Sequence, residues 1–284
     1  MNRRRLRMIV AMVGLISSLC AVTYPLVSNY LTCQRQEQVI LSVEEQLEGV
    51  SDEALDTEWQ EANAYNRALA SYVSGKHDVN IDEPAYAQRL NMGGDGIMGI
   101  LTIPKLNVKL PIYHSTDAAV LNKGIGHIYG TSLPVGGKGT HAALSGHTGM
   151  AGQRMFSDLD QLKEGDIFRL RVLGEELIYM VNQICVVLPT DVSELAIEQD
   201  KDYVTLVTCT PYGVNTHRLL VRGVRVENPE KELNTLLNDR EGKTQVAPST
   251  WRQRYILAVL TGIGGSTLLT LPIVIFRRCR KRRR

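Results

Sequence analysis

A single cysteine, Cys209, lies between two apolar runs of the chain. The run Tyr203–Val207 is rich in β-branched and aromatic residues and predicts a strand. The segment 211–215, Pro-Tyr-Gly-Val-Asn, predicts a turn, and a second strand begins with His217 and Arg218. Neighbouring strands would bring a thiol next to a guanidinium, which suits nucleophilic chemistry by a thiolate. A buried structural cysteine is an equally good interpretation of this stretch alone.

A cysteine nucleophile needs a partner that favours its thiolate, and histidine is the usual one. Among the six histidines, His147 follows the predicted strand His141–Ser145, so its ring should project from a junction between strand and loop. His217 is the second candidate because it shares a segment with Cys209. Spacing alone leaves both open.

Arg218 is the third candidate for the same chemistry. An arginine stays charged at any working pH, and a half-buried one can hold the negative oxygen of a tetrahedral intermediate. The ordinary alternative is a surface ion pair. The sequence therefore offers a thiol, an imidazole and a guanidinium, without showing that they meet.

Two apolar runs with basic flanks indicate membrane segments rather than nucleic-acid binding. The first, Met8 to Val27, follows Arg3, Arg4, Arg5 and Arg7, and is either a signal peptide or a retained signal-anchor, of which we favour the anchor. The second, Tyr255–Phe276, would extend about 33 Å as a helix, enough for a hydrocarbon core of about 30 Å. The basic tail 277–284 should then be cytoplasmic, and the central region outside.

The cysteine count fits an exported domain that has no disulfide framework. Five cysteines are an odd number, and their spacings match no zinc site. Only Cys185 and Cys209 lie in the central region. No metal and no cofactor is expected.

The central region predicts helices followed by a mainly β domain. Apolar residues recur at steps of three and four between Gln34 and Gly75, with Ser51 as a helix cap. A polar loop is expected from His77 to Gly96, and short strands begin at Ile97. Seven or eight strands with few helices favour a closed barrel or a sandwich. The expected strands and short helices are 99–104, 108–113, 116–122 (helix), 141–145, 155–162 (helix), 166–173, 176–188, 203–207 and 219–226.

These residues carry a resemblance. Leu206-Val-Thr-Cys209 is similar to the Thr-Leu-x-Thr-Cys signature of the sortases, cysteine transpeptidases of Gram-positive cell surfaces. The likeness continues through Thr210–Arg218, which resembles class C, the pilin-polymerising branch. Ser145-Gly-His147 resembles the segment that bears the family's catalytic histidine, and residues 137–141 lead into it in the same way. The likeness spans residues 34–227, and two membrane runs also fit class C.

The resemblance implies a sortase β-barrel of about eight strands and a role for each candidate. Cys209 would be the nucleophile, His147 its acid/base partner, and Arg218 the group that stabilises the oxyanion; His217 would have no primary role. The implied reaction cleaves a Leu-Pro-x-Thr-Gly type sorting signal between threonine and glycine. The acyl group is then joined to a lysine amine of another pilin subunit, which builds a covalent pilus.

One departure from the class C pattern concerns the lid, an Asp-Pro-aromatic segment that covers the site in that class. The nearest sequence here is Asp82-Glu-Pro-Ala-Tyr86, in which the proline and the aromatic residue are displaced. A lid could form with Asp82 or Glu83 facing Arg218 and Tyr86 over Cys209. The alternative, which we favour, is a reduced or absent lid.

The implied partners are the membrane and pilin subunits that carry an LPxTG-like signal and an acceptor lysine, with no nucleic acid. Two alternatives stay open: a sortase that anchors proteins to a peptidoglycan precursor, and a non-enzymatic, membrane-tethered assembly protein with an inert thiol. The expected organisation is a basic N-terminus with signal or anchor (1–31), helices with a possible lid (32–96), the catalytic barrel (97–228), a polar tether (229–254), a membrane helix (255–276) and a basic cytoplasmic tail (277–284).

Overall fold

The computed structural model describes residues 3–73, 83–148 and 155–227. The chain divides into two units, of which the first is residues 1–24 with 247–284 and the second is residues 25–246. The described part of the first unit is the beginning of helix α1. All other described residues belong to the second unit. The predicted tether, second membrane helix and basic tail lie outside the described residues.

Three helices precede the barrel: α1 (Arg3–Glu48), α2 (Asp52–Val73) and α3 (Glu83–Gln88). Within α1, the stretch Met12–Glu48 is long and apolar enough to cross a membrane, near the N-terminus. Helix α2 begins as the sequence indicates, since the Ser51 hydroxyl accepts a hydrogen bond of 3.3 Å from the Ala54 N–H. Helix α3 lies where a loop was expected, because Tyr86 packs against the barrel, a contact that periodicity does not reveal.

Eight strands close into a barrel in the order β1-β2-β3-β4-β7-β8-β6-β5. The mainly β, eight-stranded barrel expected from the sequence is thereby confirmed. The strands are β1 (Ile97–Ile103), β2 (Val108–His114), β3 (Ile125–His127), β4 (Thr140–Ser145), β5 (Ile167–Val172), β6 (Glu175–Val187), β7 (Asp202–Thr210) and β8 (His217–Arg225).

Two pairs in the barrel, β2 with β3 and β4 with β7, are parallel, and the other pairs are antiparallel. The parallel pair β4–β7 matters most, because it places the ends of two distant segments side by side. The helix expected at 116–122 is only one turn, α4 (Ala118–Leu121). The helix expected at 155–162 is wrong: turns and a short 3-10 helix (Leu159–Gln161) lie there, with Phe156 and Leu159 buried in the core.

The barrel interior is filled by apolar side chains from alternate positions of the strands. Phe168 and Tyr179 stack with ring centroids 5.6 Å apart, and a Cβ on Gly223 would lie 2.5 Å from the Phe168 ring. Val204 and Leu206 face this interior from β7. The intervening residues of β7, and Cys209 after them, therefore face outward.

Candidate active site

Cys209 and Arg218 are directly opposite each other in the antiparallel ladder of β7 and β8. Directly opposed residues project from the same face, with Cβ atoms about 4.5–5.5 Å apart. Both side chains are half-buried, so each is accessible from solvent. The juxtaposition of thiol and guanidinium that the two strand runs predict is present.

The turn between β7 and β8 orients Arg218. Its Nη1 donates hydrogen bonds of 3.3 Å to the carbonyl oxygen of Asn215 and 3.1 Å to that of His217. A guanidinium has five N–H donors in a planar fork, and these contacts engage only one of its nitrogens. The group is thus held beside Cys209 and keeps its capacity to bind an anion.

His147 follows the end of β4, the strand parallel to β7. Ser145 pairs with Val207, and the Gly146 N–H continues the pairing with a 3.0 Å hydrogen bond to the Val207 carbonyl oxygen. His147 and Cys209 therefore each lie two residues beyond this pair. Adjacent strands are about 4.8 Å apart, so the imidazole and the thiol leave the same end of neighbouring strands.

Thr208 is a residue of the site that the sequence did not single out. Its hydroxyl is buried and donates a 2.7 Å hydrogen bond to the carbonyl oxygen of Gly146. This contact joins the residue before Cys209 to the residue before His147. The sequence feature that indicates Thr208 is its position directly before the cysteine in the matched signature.

The packing around Gly146 explains why that position is a glycine. A Cβ there would lie 2.7 Å from the Phe156 ring and 3.0 Å from Ile125. The Phe156 N–H also donates a 3.1 Å hydrogen bond to the carbonyl oxygen of His147. The backbone that carries His147 is therefore held on both sides, by β7 and by the Phe156 segment.

The second histidine candidate, His217, faces away from the thiol. It pairs with Thr210 on β7, one position along the ladder from the pair of Cys209 and Arg218. Adjacent residues of a strand project to opposite faces. Its Nδ1 lies 3.0 Å from the Thr216 hydroxyl. Of the two histidines that spacing left open, the register favours His147.

An apolar floor lies beside Cys209 on the outer face of the sheet. It consists of Ala143, Val207 and Leu220, with Ile128, Cys185, Val187 and Leu195 packed against it. Val207 precedes Cys209 by two residues, so the floor shares the face that bears the thiol. Burial, with the nearby Glu194 carboxylate, raises the pKa of the Cys185 thiol. Cys185 therefore favours its protonated form.

Tyr86, one of the two residues suggested for a lid, lies in a buried cluster at β2 and β3, with its ring against His114 and His127. A lid over Cys209 stays a prediction. The Tyr86 hydroxyl lies 2.9 Å from Nδ1 of His127 and accepts a 3.2 Å hydrogen bond from the Ser115 N–H. His127 belongs to β3, and the register β3–β4–β7 sets it level with Leu206, which faces the interior. Asp82, the other suggested lid residue, lies outside the described residues.

Burial controls the protonation of this cluster. Desolvation lowers the pKa of His127 to about 4 and raises that of Tyr86 to about 12. Nε2 of His127 lies 2.8 Å from the Ser132 carbonyl oxygen, which only accepts hydrogen bonds. The neutral ring must donate there, so Nδ1 accepts a hydrogen bond from the Tyr86 hydroxyl.

The chain as a whole is similar to known proteins in sequence and in fold. The family model "Sortase domain" matches residues 101–226. Sortase D of Bacillus subtilis is 34% identical over 131 residues, which are 45% of this chain and 63% of that protein. The crystal structure of Clostridium perfringens sortase C with its C-terminal cell wall sorting motif is 45% identical, has a TM-score of 0.60, and covers 67% of this chain and 99% of its own. Sortase C1 from Streptococcus agalactiae is 44% identical with a TM-score of 0.63 and the same two coverages.

Proposed function

Because the chain belongs to the sortase family, whose members are cysteine transpeptidases, we propose that Cys209, His147 and Arg218 perform its transpeptidation and that pilin subunits are its substrates. The observation that carries the proposal is the direct pairing of Cys209 with Arg218 across β7 and β8. The end of β4, from which the chain continues to His147, lies beside this pair. The family gives the reaction class, and these positions support the individual roles.

In the first half-reaction, the Cys209 thiolate attacks the threonine carbonyl carbon of the sorting signal. The carbonyl oxygen becomes an oxyanion, and the Arg218 guanidinium stabilises it as the charge develops. When the intermediate collapses, the threonine–glycine C–N bond breaks and a thioester forms on Sγ. The protonated His147 gives its proton to the departing glycine amine.

In the second half-reaction, a lysine amine attacks the thioester carbonyl. His147, now neutral, takes the proton that the amine loses as the C–N bond forms. The C–S bond then breaks, the thiolate of Cys209 is restored, and an isopeptide bond joins the two proteins. One imidazole serves as acid and then as base, so no further proton carrier is required.

Pilin subunits are the proposed substrates because the sortase C structures resemble this chain over two thirds of its length. The apolar floor beside Cys209 would receive the leucine and proline of an LPxTG-like signal. Such residues need a surface without charge, and the floor residues have none. The threonine carbonyl would then lie between Cys209 and Arg218.

The proposed location is the cell membrane, with the barrel of residues 97–228 outside. The apolar helix near the N-terminus supports an anchor, and the arginines before it favour a cytoplasmic N-terminus. The basic residues 277–284 favour a cytoplasmic C-terminal tail by the same rule. This orientation presents the thiol to exported proteins.

The testing experiment follows thioacyl-enzyme formation with a labelled sorting peptide. Wild-type enzyme should form a Cys209 thioester, and the variant Cys209→Ala should form none, whereas Cys185→Ala, which keeps the proposed nucleophile, should still form it. Acyl-enzyme in Cys209→Ala would refute the assignment. A thiol whose labelling across pH resembles that of a simple thiol and is unchanged by His147→Ala would favour the inert assembly protein.

The acceptor is tested separately by competition. A pilin subunit that lacks its sorting signal and a peptidoglycan cross-bridge peptide are offered together to the acylated enzyme. Mass spectrometry of the joined product should show the pilin lysine. Exclusive transfer to the cross-bridge amine would instead identify a cell-wall anchoring sortase.

A further inference from the structure

Strand β6 extends beyond the strand that pairs with it on one side. Residues 175–180 of β6 pair with β5, and Val181 completes this edge with hydrogen bonds to Gly165 and Asp166. From Asn182 to Val187, β8 is the one strand that pairs with β6 within the described part of the chain. Half of the backbone groups of these six residues point away from β8. They form an open strand edge.

This open edge carries no charge and exposes apolar side chains at alternate positions. Ile184, Val186 and Leu188 are 36%, 57% and 58% exposed, and Val192 beyond them is 66% exposed. The segment 182–188 reads Asn-Gln-Ile-Cys-Val-Val-Leu, with no lysine, glutamate or proline. Edge strands are usually protected by such residues, because an uncharged edge recruits other chains. An edge of this composition therefore fits a surface that a partner covers.

The edge is continuous with the candidate active site. Val187 of β6 pairs with Arg218 of β8, and Arg218 pairs with Cys209 of β7. A strand added to β6 would lie three inter-strand spacings from β7, which carries Cys209. At about 4.8 Å per spacing, that distance is about 14 Å. Of the edge residues, Cys185 and Val187 face the apolar floor, and the exposed alternate residues face the other side of the sheet. A protein that packs on those alternate residues would reach the thioester and leave the floor to the sorting signal.

The segment that follows β6 is acidic. Between β6 and β7 lie four carboxylates and one lysine: Asp191, Glu194, Glu198, Asp200 and Lys201. Glu194 accepts a 2.7 Å hydrogen bond from Gln183, which sets one of these carboxylates beside the open edge. The charge is complementary to a partner that presents lysine amines.

We propose that the open edge of β6, residues 182–188, docks an extended segment of the acyl-acceptor pilin by strand addition. The proposal rests on the proposed function, in which two polypeptides meet at one thioester. The sorting signal of the first occupies the outer face beside Cys209, which leaves the edge for the second. Backbone hydrogen bonds would supply the affinity, and Ile184, Val186 and Leu188 would pack on alternate side chains of the acceptor.

The test separates acceptor docking from the chemistry. A lysine is introduced on the edge, Val186→Lys, in the full-length enzyme held in detergent micelles. Val73→Lys is the matched control, because Val73 on α2 is 56% exposed and Val186 is 57% exposed. Three rates are measured: thioacyl formation from a sorting peptide, transfer to hydroxylamine, and transfer to a pilin subunit that lacks its sorting signal.

The expected result is a selective effect on the protein acceptor. Val186→Lys should raise the KM for pilin at least about tenfold, the change that a loss of about 1.4 kcal/mol gives, with thioacyl formation and hydroxylamine transfer within about twofold of wild type. Val73→Lys should leave all three rates unchanged. An unaltered KM for pilin in Val186→Lys, or an equal loss with hydroxylamine, would overturn the docking site. Absence of thioacyl formation in the wild type would instead refute the proposed function.

Hydrogen exchange on the unmodified enzyme gives a second measurement. Backbone amides of residues 182–188 should exchange more slowly when the pilin subunit is added, and those of β1 should not change. Slower exchange of these amides on raising the enzyme concentration alone would indicate a second copy of this chain at the edge, if Val186→Lys abolished that protection and left the KM for pilin unaltered. That result would also overturn the proposal.

Discussion

The buried hydroxyl of Thr208 donates a 2.7 Å hydrogen bond to the carbonyl oxygen of Gly146. Each residue immediately precedes a proposed catalytic side chain, Cys209 in one case and His147 in the other. A change in this bond is therefore expected to alter the distance between thiol and imidazole and to leave the chemistry of each group unchanged. Such a link makes Thr208 a positioning residue rather than a catalytic one.

Replacing Thr208 by valine removes this hydroxyl at nearly constant shape. A buried carbonyl left without its donor costs about 1–3 kcal/mol, and we expect thioacyl formation to slow about tenfold as the His147 backbone shifts. Thr208→Ser, which retains the hydroxyl, should recover most of the rate. Single-turnover acylation of a sorting peptide measures both variants. Equal rates for valine and serine would show that the bond has no role in positioning.

Arg218 is expected to act on the transition state. Arg218→Ala should lower the acylation rate about 10²–10³-fold, as the loss of an oxyanion donor does. Arg218→Lys should fall between the alanine variant and the wild type, because it keeps the charge and loses the planar fork. A loss below about fivefold for alanine would indicate a structural role.

Arg222 is the matched control on the same strand and face as Arg218. It lies four residues further along β8, about 13 Å away. Its guanidinium stacks 4.2 Å from the centroid of the Tyr203 ring and pairs with Glu198 at 3.8 Å. Arg222→Ala should therefore lower thermal stability, with an acylation rate within about threefold of wild type. Steady-state kinetics and a melting curve on the same preparation distinguish the two arginines.

Gly146→Ala should destabilise the fold and slow the reaction together. The added methyl group would meet the Phe156 ring at 2.7 Å and Ile125 at 3.0 Å, and overpacking of this kind costs about 1–3 kcal/mol. Gly49→Ala is the control, since its nearest neighbour would be at 3.6 Å, an ordinary contact. Denaturant unfolding gives the free energies. Similar values for both variants would contradict the tight packing.

The buried His127 predicts loss of stability in acid. Its pKa is about 4 in the folded chain and about 6.5 when unfolded, so the unfolded state binds the proton first. The free energy of unfolding should therefore fall as pH drops from about 6.5 to about 4, by up to about 3 kcal/mol in total. Above about pH 6.5, His127 should have no effect on how the free energy of unfolding depends on pH.

Two variants test this assignment. His127→Gln cannot titrate, so its unfolding free energy should lose this part of the slope between pH 6.5 and pH 4. Tyr86→Phe removes the hydroxyl that Nδ1 accepts from and should cost about 1 kcal/mol at neutral pH, but it leaves a titrating ring. An unchanged slope in His127→Gln would show that other groups dominate the acid response.

Much of the barrel was predictable because its strands are continuous runs with turns between them. Cys209 and Arg218 could be placed on neighbouring strands from a single segment, since a hairpin is a local structure. The place of His147 beside them could not be derived from spacing, because β4 and β7 pair in parallel across a long separation. Strand β3, only three residues long, is too short to show a period.

The segments whose secondary structure was wrongly predicted share one physical cause. Helix α3 and the turns around Phe156 are set by contacts with the barrel rather than by local propensity. The buried position of Tyr86 depends on contacts such as its hydrogen bond with His127, which no sequence pattern reveals. Alternation along β8 turns His217 away from Cys209 and so favours His147, but this argument requires the register to be known.

The parallel pairing of β4 and β7 also governs when the site comes into existence. The residues that this pairing joins, Gly146 and Thr208, are 62 positions apart in the chain. Contacts between distant segments form late, because the entropy of closing the intervening loop must be overcome first. In the proposed mechanism, a newly made chain therefore carries Cys209 without His147 beside it. The proposed acid/base partner reaches the thiol only after the barrel has closed, so folding times the onset of acyl transfer.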